Sequence, residues 1–273
     1  MNEEHVARQK DFIRGREPIR CAIDLEISPM LVYTYEAYEG NALKVKVAPQ
    51  VVAASWKIND KPIEVRVLNQ YKGYKSGIFN LNDKPLIKEL HEVLDGVDIL
   101  YGHNCKDFDV KHVKSRFIYH DLDVPKKWVI EDTLKIARKY FKFPKNNLDF
   151  ITELLGMEGK TDVKHSDVIW KCIDGDPKAW KAMADYVRQD IKITHALYQK
   201  LAPWHETHYN LNFIKRKGTI ACKVCLGTDL MLKGYDYSGR TFCRQKYKCK
   251  TCGHLFRGER VDLPVERVEE FNV

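Results

Sequence analysis

The chain has 273 residues, 44% hydrophobic and 31% charged, with a formal net charge of +8. This is the composition of a soluble globular protein, long enough for one sizeable core plus a small satellite. No apolar run approaches the ~18 residues that span a bilayer, and the opening MNEEHVARQKDFIRGREPIR holds no hydrophobic secretory segment. No membrane partner is therefore expected. The expected location is cytoplasmic, where thiols stay reduced and clustered cysteines indicate metal before disulfide.

Charge is unevenly placed. Residues 215–260 carry 12 Lys and Arg against 3 Asp and Glu, leaving 34 against 35 in the remainder. A nearly neutral body with a strongly basic module points to a nucleic-acid partner, because phosphate neutralisation supplies most non-specific affinity. A basic face kept for solubility is the alternative.

In chain order, CAIDLEISP (Cys21 to Pro29) ends a first strand over about 19–27. LKVKVAPQVVAASWKI and IEVRVL are rich in β-branched residues and flank NDK (Asn59 to Lys61), a hairpin turn. DKPLIKELHEVLDG reads as a helix with Asp83 as N-cap, Pro85 in its first turn and Gly96 at its end. VDILYGH (97–103) is a short apolar strand, and DFDVKHVKSRFIY has the helical period. KKWVIEDTLKIARKY runs from strand into helix at Asp132 or Thr133, and NNLDFITELLGM is a helix stopped near Gly156. In DGDPKAWKAMADYVRQDIKITHALYQKL, Asp176 is the N-cap and Pro177 the first helical residue. Ala179, Met183, Tyr186, Val187, Asp190, Ile193 and Leu197 share one face of that helix. Strands alternating with helices after an initial hairpin layer argue for an α/β body. KRKGT (215–219) then reads as a linker.

Four acids stand out within this body. Asp24 and Glu26 lie two apart on the first strand, so both point to one face while Leu25 and Ile27 take the other. Two like charges on a core strand repel and lose hydration unless something positive lies between them. Asp109 falls on the first turn of the helix after the 97–103 strand, at the sheet edge where α/β proteins build sites. Tyr186 and Asp190 are at i and i+4, one helical turn apart. Each has a plainer reading. Asp107, Asp109 and Asp132 also fit helix caps, Tyr186 a core aromatic, and His103 and His195 satisfied structural histidines.

The order Asp-x-Glu, Asn-x-x-x-Phe-Asp (Asn104 to Asp109) and Tyr-x-x-x-Asp (Tyr186 to Asp190) resembles the three motifs of the DEDD 3′→5′ exonucleases. These include the DnaQ-type nucleases and the proofreading domains of DNA polymerases. The resemblance covers roughly residues 18–204 and is most similar to stand-alone enzymes encoded by bacteriophages, which would place the protein in the host cytoplasm. Tyr186 marks the tyrosine (DEDDy) variant, because Asp185 stands where the other variant has histidine. Ile27 departs from the small polar residue that many relatives carry there.

The resemblance implies an RNase H-like mixed five-stranded sheet flanked by helices. It also implies two Mg²⁺ or Mn²⁺ ions, hard cations suited to oxygen ligands, which would flank the scissile phosphate. Asp24 would bridge both ions. Glu26 and Asp190 would complete one, Asp109 would hold the second, and Tyr186 would orient the attacking water. Asn104 and Phe108 would hold the terminal nucleotide. The implied activity is exonucleolytic release of 5′-mononucleotides, single-stranded DNA being the preferred substrate. An RNase D-like RNA exonuclease and a non-catalytic nucleic-acid adaptor are the alternatives.

Two Cys-x-x-Cys knuckles, Cys222 with Cys225 and Cys249 with Cys252, are separated by 23 residues. This spacing fits a Cys₄ zinc ribbon with a hairpin between the knuckles, holding one structural Zn²⁺. Ser238 to Arg240 would form the hairpin tip and TFCRQKYKC its second strand. Gly227 and Gly253 would serve the knuckle turns. Cys243 would be a free thiol, and His254 a substitute ligand for Cys252. Arg240, Arg244, Lys246 and Lys248, with Arg257 nearby, would contact nucleic acid, and Tyr235, Tyr237 and Phe242 would stack on bases. Docking on a replication or recombination protein is the rival role for the ribbon or the acidic tail. The expected divisions are 1–214 for the body, 215–258 for the ribbon and 259–273 for the tail.

Overall fold

The computed structural model describes residues 18–36, 40–125, 127–159, 165–206, 220–238 and 242–262. The chain divides into two compact units, Ile19–Tyr198 and Gln199–Val273 together with Met1–Pro18. Among the described residues no helix is long and apolar enough to cross a membrane.

The first unit is built on β1 (Arg20–Ile27), β4 (Val51–Ile58), β5 (Glu64–Val67), β6 (Ile99–Gly102) and β7 (Val129–Asp132). They form one five-stranded sheet in the order β5-β4-β1-β6-β7. The β4–β5 and β1–β4 ladders are antiparallel, whereas β1–β6 and β6–β7 are parallel, which makes the sheet mixed as expected. Asn59 takes a φ of 45° in the β4–β5 turn, a conformation that Asn tolerates. A separate two-stranded ladder joins β2 (Leu31–Tyr33) to β3 (Lys44–Val47). At three residues, β2 is too short to show any alternation in sequence.

The helices are α1 (Lys84–Asp95), α2 (Asp109–Tyr119), α3 (Thr133–Tyr140), α4 (Leu148–Leu154), α5 (His165–Ile173) and α6 (Pro177–Leu201). Leu86, Ile87, Leu90 and Leu94 of α1 and Val110, Val113 and Phe117 of α2 join Cys21, Ile23 and Leu25 of β1 in one core. The alternate positions of β1 face the other way. Ala22 pairs with Tyr101, and Tyr101 stacks on Tyr198 of α6 at 4.3 Å, so α6 covers the face that carries Asp24. Asp176 caps α6 by accepting the Lys178 N–H at 2.8 Å, as its sequence indicates. Helix α5 was not expected, although Ile169, Cys172 and Ile173 do trace a short buried face.

Asp83 corrects a sequence expectation. It sits at the start of α1 but makes no capping bond with its side chain. Instead it is fully buried and accepts two hydrogen bonds from Arg116, Nε at 2.7 Å and Nη2 at 2.6 Å. It also accepts the Val51 N–H at 3.0 Å and faces His120 Nε2 at 2.7 Å. A bidentate guanidinium in a dry setting is a stronger partner for a carboxylate than a cap N–H.

In the second unit β8 (Leu230–Asp236), β9 (Phe242–Cys249) and β10 (Leu255–Asp262) form an antiparallel sheet in the order β10-β9-β8. The expected hairpin thus gains a third strand, which runs four residues past position 258. The linker 215–219, Arg240 of the hairpin tip and residues 263–273 of the tail lie outside the described residues.

Candidate active site and metal centre

On β1, Asp24 lies opposite Ser55 and Glu26 opposite Ala53 in β4, and Leu25 between them is buried. The ladder shifts between Glu26 and Ile27, so Ile27 begins a new register beside the acids. Asp190 arrives on α6. Oxygens of Asp24, Glu26 and Asp190 lie within 4.8 Å of one another. One contact that fixes the helix here is Ser55, whose Oγ donates to the Val187 carbonyl at 2.9 Å. The residue paired with Asp24 therefore also ties down the helix that delivers Asp190.

Asp109 reaches β1 by a different route. The β1–β6 pairing stops at Ala22 and Tyr101, which leaves the edge of β1 open beyond that point. The Leu25 N–H donates across this gap to Asp109 Oδ1 at 2.9 Å. Asp109 thus touches the main chain between Asp24 and Glu26 but is not one of the three clustered acids. Burial pushes its carboxyl up to about 8, with the charges of Glu26 and Asp132 adding to the shift. A bound cation would act in the opposite sense. Neither Asp107 nor Asp109 caps α2: its N-terminal flanking residue is Phe108, and Asp107 pairs with Lys111 at 3.1 Å and Lys135 at 2.7 Å.

The turn before α2 is tightly held. Gly102 is required there, because a Cβ would come within 2.6 Å of the Cys105 Cβ and 2.9 Å of the Ile23 carbonyl. Asn104 adopts a φ of 62°. Asp132 is the N-cap of α3, accepting the Leu134 N–H at 3.0 Å, and it also accepts the N–H groups of Asn104 and Lys106, each at 3.0 Å. It is therefore a cap, as one sequence reading had it, and a clamp on the Asn104 turn as well. Phe108 is 40% exposed and rests edge-on against His112. Tyr186 is half-buried at the margin of the core, one turn before Asp190.

A cleft of about 430 Å³ opens beside Asp24 and Asp190, with Asn104, Arg138, Asn146 and Asn147 among its lining residues. The last three did not stand out in the sequence, where NN before LDFITELL reads only as a helix start. His103 is structural. Its Nε2 donates to the Asn146 carbonyl at 2.9 Å and its Nδ1 meets Thr133 Oγ1 at 2.9 Å, which ties the Asn146 main chain to the end of β6. His195 is half-buried, meets the Tyr101 hydroxyl at 2.7 Å, and has its pKa lowered by burial, as suits a structural histidine.

The acid cluster fits a hard divalent cation. Its donors are all oxygens, and octahedral coordination at ~2.1 Å places ligand atoms about 3–4 Å apart, close to the span found here.

The cysteine cluster differs in kind. The four sulfurs of Cys222, Cys225, Cys249 and Cys252 lie within 4.8 Å of one another. Cys222 and Cys252 are 3.5 Å apart, and Cys225 and Cys249 are 3.6 Å apart. Disulfides need ~2.05 Å, whereas a tetrahedron of metal–sulfur bonds of ~2.3 Å has edges of about 3.8 Å. The Val224 and Gly227 N–H groups donate to the sulfurs of Cys222 and Cys225, each at 3.4 Å. The Cys222 thiol is drawn down to about 5, chiefly by a hydrogen bond from Cys252, whose own pKa rises.

His254 is not in this group; it is buried and stacked on Phe256. Cys243 is a buried free thiol. In the first knuckle the left-handed residue is Leu226 (φ 62°), while Gly227 provides close approach to Thr251; Gly253 does take a positive φ.

On the ribbon sheet Arg257 pairs with Lys246 and Leu255 with Lys248. A groove of about 500 Å³ is lined by these four together with Lys233 and Phe256. Tyr235 and Tyr237 are exposed, but Phe242 lies beneath the guanidinium groups of Arg244 and Arg260.

Residues 80–167 match the family model for exonucleases of the RNase T type. A DNA polymerase of Methanocaldococcus jannaschii is 26% identical over 144 residues, a match covering 45% of this chain and 8% of that polymerase. The family B DNA polymerase of the archaeon Pyrobaculum calidifontis is similar at a TM-score of 0.50 and 17% identity, covering 69% of this chain and 25% of that one. A Saccharomyces cerevisiae Pan2 module, at TM-score 0.36 and 12% identity, covers 72% of this chain and 31% of that one, too distant to carry an argument. The chain thus spans only a small part of the polymerases it resembles. The family match includes Asn104 to Asp109 but neither the β1 acids nor Asp190, which the tertiary structure brings together. By its mixed sheet and the matched segment, the chain carries an exonuclease-type domain of DnaQ-like, RNase H-like fold.

Proposed function

We propose that the protein is a metal-dependent 3′→5′ exonuclease of the DEDDy type, acting preferably on single-stranded DNA and releasing 5′-mononucleotides. The observation that carries this reading is the meeting of Asp24, Glu26 and Asp190 from opposite ends of the domain, beside a cleft in an exonuclease-type fold. Two Mg²⁺ or Mn²⁺ ions, when bound, would supply a hydroxide at neutral pH and offset charge on the leaving oxygen. Asp24, Glu26 and Asp190 would hold one cation, and Asp109, with Asp24 shared, the other. The Tyr186 hydroxyl orients the attacking water. Asn104 and Phe108 hold the terminal nucleotide, Phe108 offering an exposed ring for packing. The ribbon binds one structural Zn²⁺ and grips the strand through Arg240, Arg244, Lys246 and Lys248.

The test uses 5′-labelled DNA and RNA oligomers, single- and double-stranded, with Mg²⁺ or Mn²⁺. Stepwise shortening from the 3′ end is expected, fastest on single-stranded DNA. Asp24→Ala should lower the rate by about 10³-fold or more, with no fall in melting temperature, since one of three mutually repelling acids is removed. Full activity in that variant would sink the site assignment. Faster shortening of RNA would reassign the substrate, and binding without shortening would make the protein an adaptor.

A further inference from the structure

Besides Asp24 and Asp190, and with Asp149 as a further acid in its lining, the cleft is bordered by groups whose chemistry catalysis by carboxylates leaves unused. Arg138 lies in the last turn of α3, exposed to solvent. Its neighbour Lys135 is tied to Asp107, as is Lys111, yet among the described residues no carboxylate pairs with Arg138. A cation at a helix C-terminus is ordinary, and Lys139 beside it meets that need. Arg138 differs in lining the cleft that Asp24 and Asp190 also line.

Asn146 and Asn147 line the same cleft. The Asn146 Oδ1 is buried and accepts no hydrogen bond, while its main-chain carbonyl is pinned by His103. Buried polar atoms are nearly always satisfied, so an orphan in a cleft marks a position for a ligand donor. Asn147 precedes α4 in the capping position, but its side chain makes no capping bond. One guanidinium and two carboxamides therefore border the acid cleft without protein partners, among the described residues.

A guanidinium presents a fork that matches phosphate oxygens, and carboxamides pair with sugar hydroxyls and base edges. The cleft volume falls within the range for small-ligand pockets, enough for one terminal nucleotide. We propose that Arg138, Asn146 and Asn147 form the strand-holding wall of this cleft, with Arg138 on a backbone phosphate and the two amides on the sugar and base of the 3′-terminal nucleotide. This rests on the nuclease reading above. It adds a grip within the domain itself, separate from the ribbon.

Two arms separate failure of this wall from failure of the nuclease reading. In an Asp24→Asn background, equilibrium binding of a labelled single-stranded oligonucleotide is measured across a KCl series. Arg138→Gln should weaken binding about tenfold and lower the slope of log affinity against log salt by ~0.7, the share of one phosphate. Arg138→Lys should restore most of the slope. In the otherwise unaltered protein, Arg138→Gln should raise KM with kcat changed less than about twofold, and Asn146→Leu should raise KM on the same oligonucleotide. Unchanged affinity and slope in Arg138→Gln would overturn the phosphate assignment, and an unchanged KM in Asn146→Leu would overturn that of the amide. If the unaltered protein shortens no oligonucleotide, the nuclease reading falls, while the binding series still decides the role of Arg138.

Discussion

The cysteine cluster and the acid cluster are assembled in opposite ways. Each knuckle places two sulfurs within four residues of chain, and one small sheet closes the 23-residue gap between the knuckles. The acids come from residues more than 160 positions apart, and they meet because β1 is central in the sheet and α6 packs over the face that carries Asp24. Around the sulfurs there is little else to hold the fold: Cys222, Val224, Cys243, Cys249 and Phe256 are among its few buried apolar side chains. Around the acids stands a core running from Cys21 to Val187. The ribbon should therefore depend on its cation for folding, whereas the acid site should be held in place by the fold despite its own repulsion.

The largest expected effect breaks the ribbon alone. Cys249→Ser, or a strong chelator, should abolish the proposed zinc binding and expose residues 220–262 to protease, while the melting of the domain over 19–198 stays where it was. Metal content and limited proteolysis read both halves, and a ribbon that stays protected without metal would erase the contrast. A smaller effect should follow at the hinge of the acid site. Asp132→Ala removes the acceptor for the N–H groups of Leu134, Asn104 and Lys106. The cost should be about 2 kcal/mol, or roughly 4–8 °C in melting temperature. Activity should fall further than that at a temperature where the variant is fully folded, because the Asn104 turn loosens. Equal losses would mean that the clamp serves stability only.

The smallest effect concerns pH. Burial lowers the pKa of His195, so the folded state favours its neutral form. A base with a depressed folded pKa contributes stability that is present above its unfolded value of ~6.5 and is lost as pH falls below it. His195→Gln should therefore flatten the acid side of the stability–pH curve without changing the cysteine cluster, as followed by denaturant midpoints between pH 5 and 8. An acid limb as steep as before would assign the loss to other groups.

Much of the fold was legible because its signals are local. The hairpin at Asn59, the cap at Asp132 and the start of α6 at Asp176 and Pro177 each depend on a few adjacent residues, and each is found in the structure. Asp83 misled for the same reason. Its local setting fits a cap, but Arg116, 33 residues on, claims the carboxylate. Short elements such as β2 carry too few residues for a period to appear, and α5 only just enough.

The sequence by itself determined the residue types at both sites and the spacing of the knuckles, because strand and helix periodicity fix which side chains share a face and sulfur spacing fixes a loop. Only the tertiary structure decided which acids meet. Asp24, Glu26 and Asp190 gather into one group, while Asp109 binds the Leu25 N–H beside them. It alone brought Arg138, Asn146 and Asn147 to the same cleft. Their partnerless side chains are a property of the folded surroundings, since what a polar group lacks can be known only once everything within reach of it is in place.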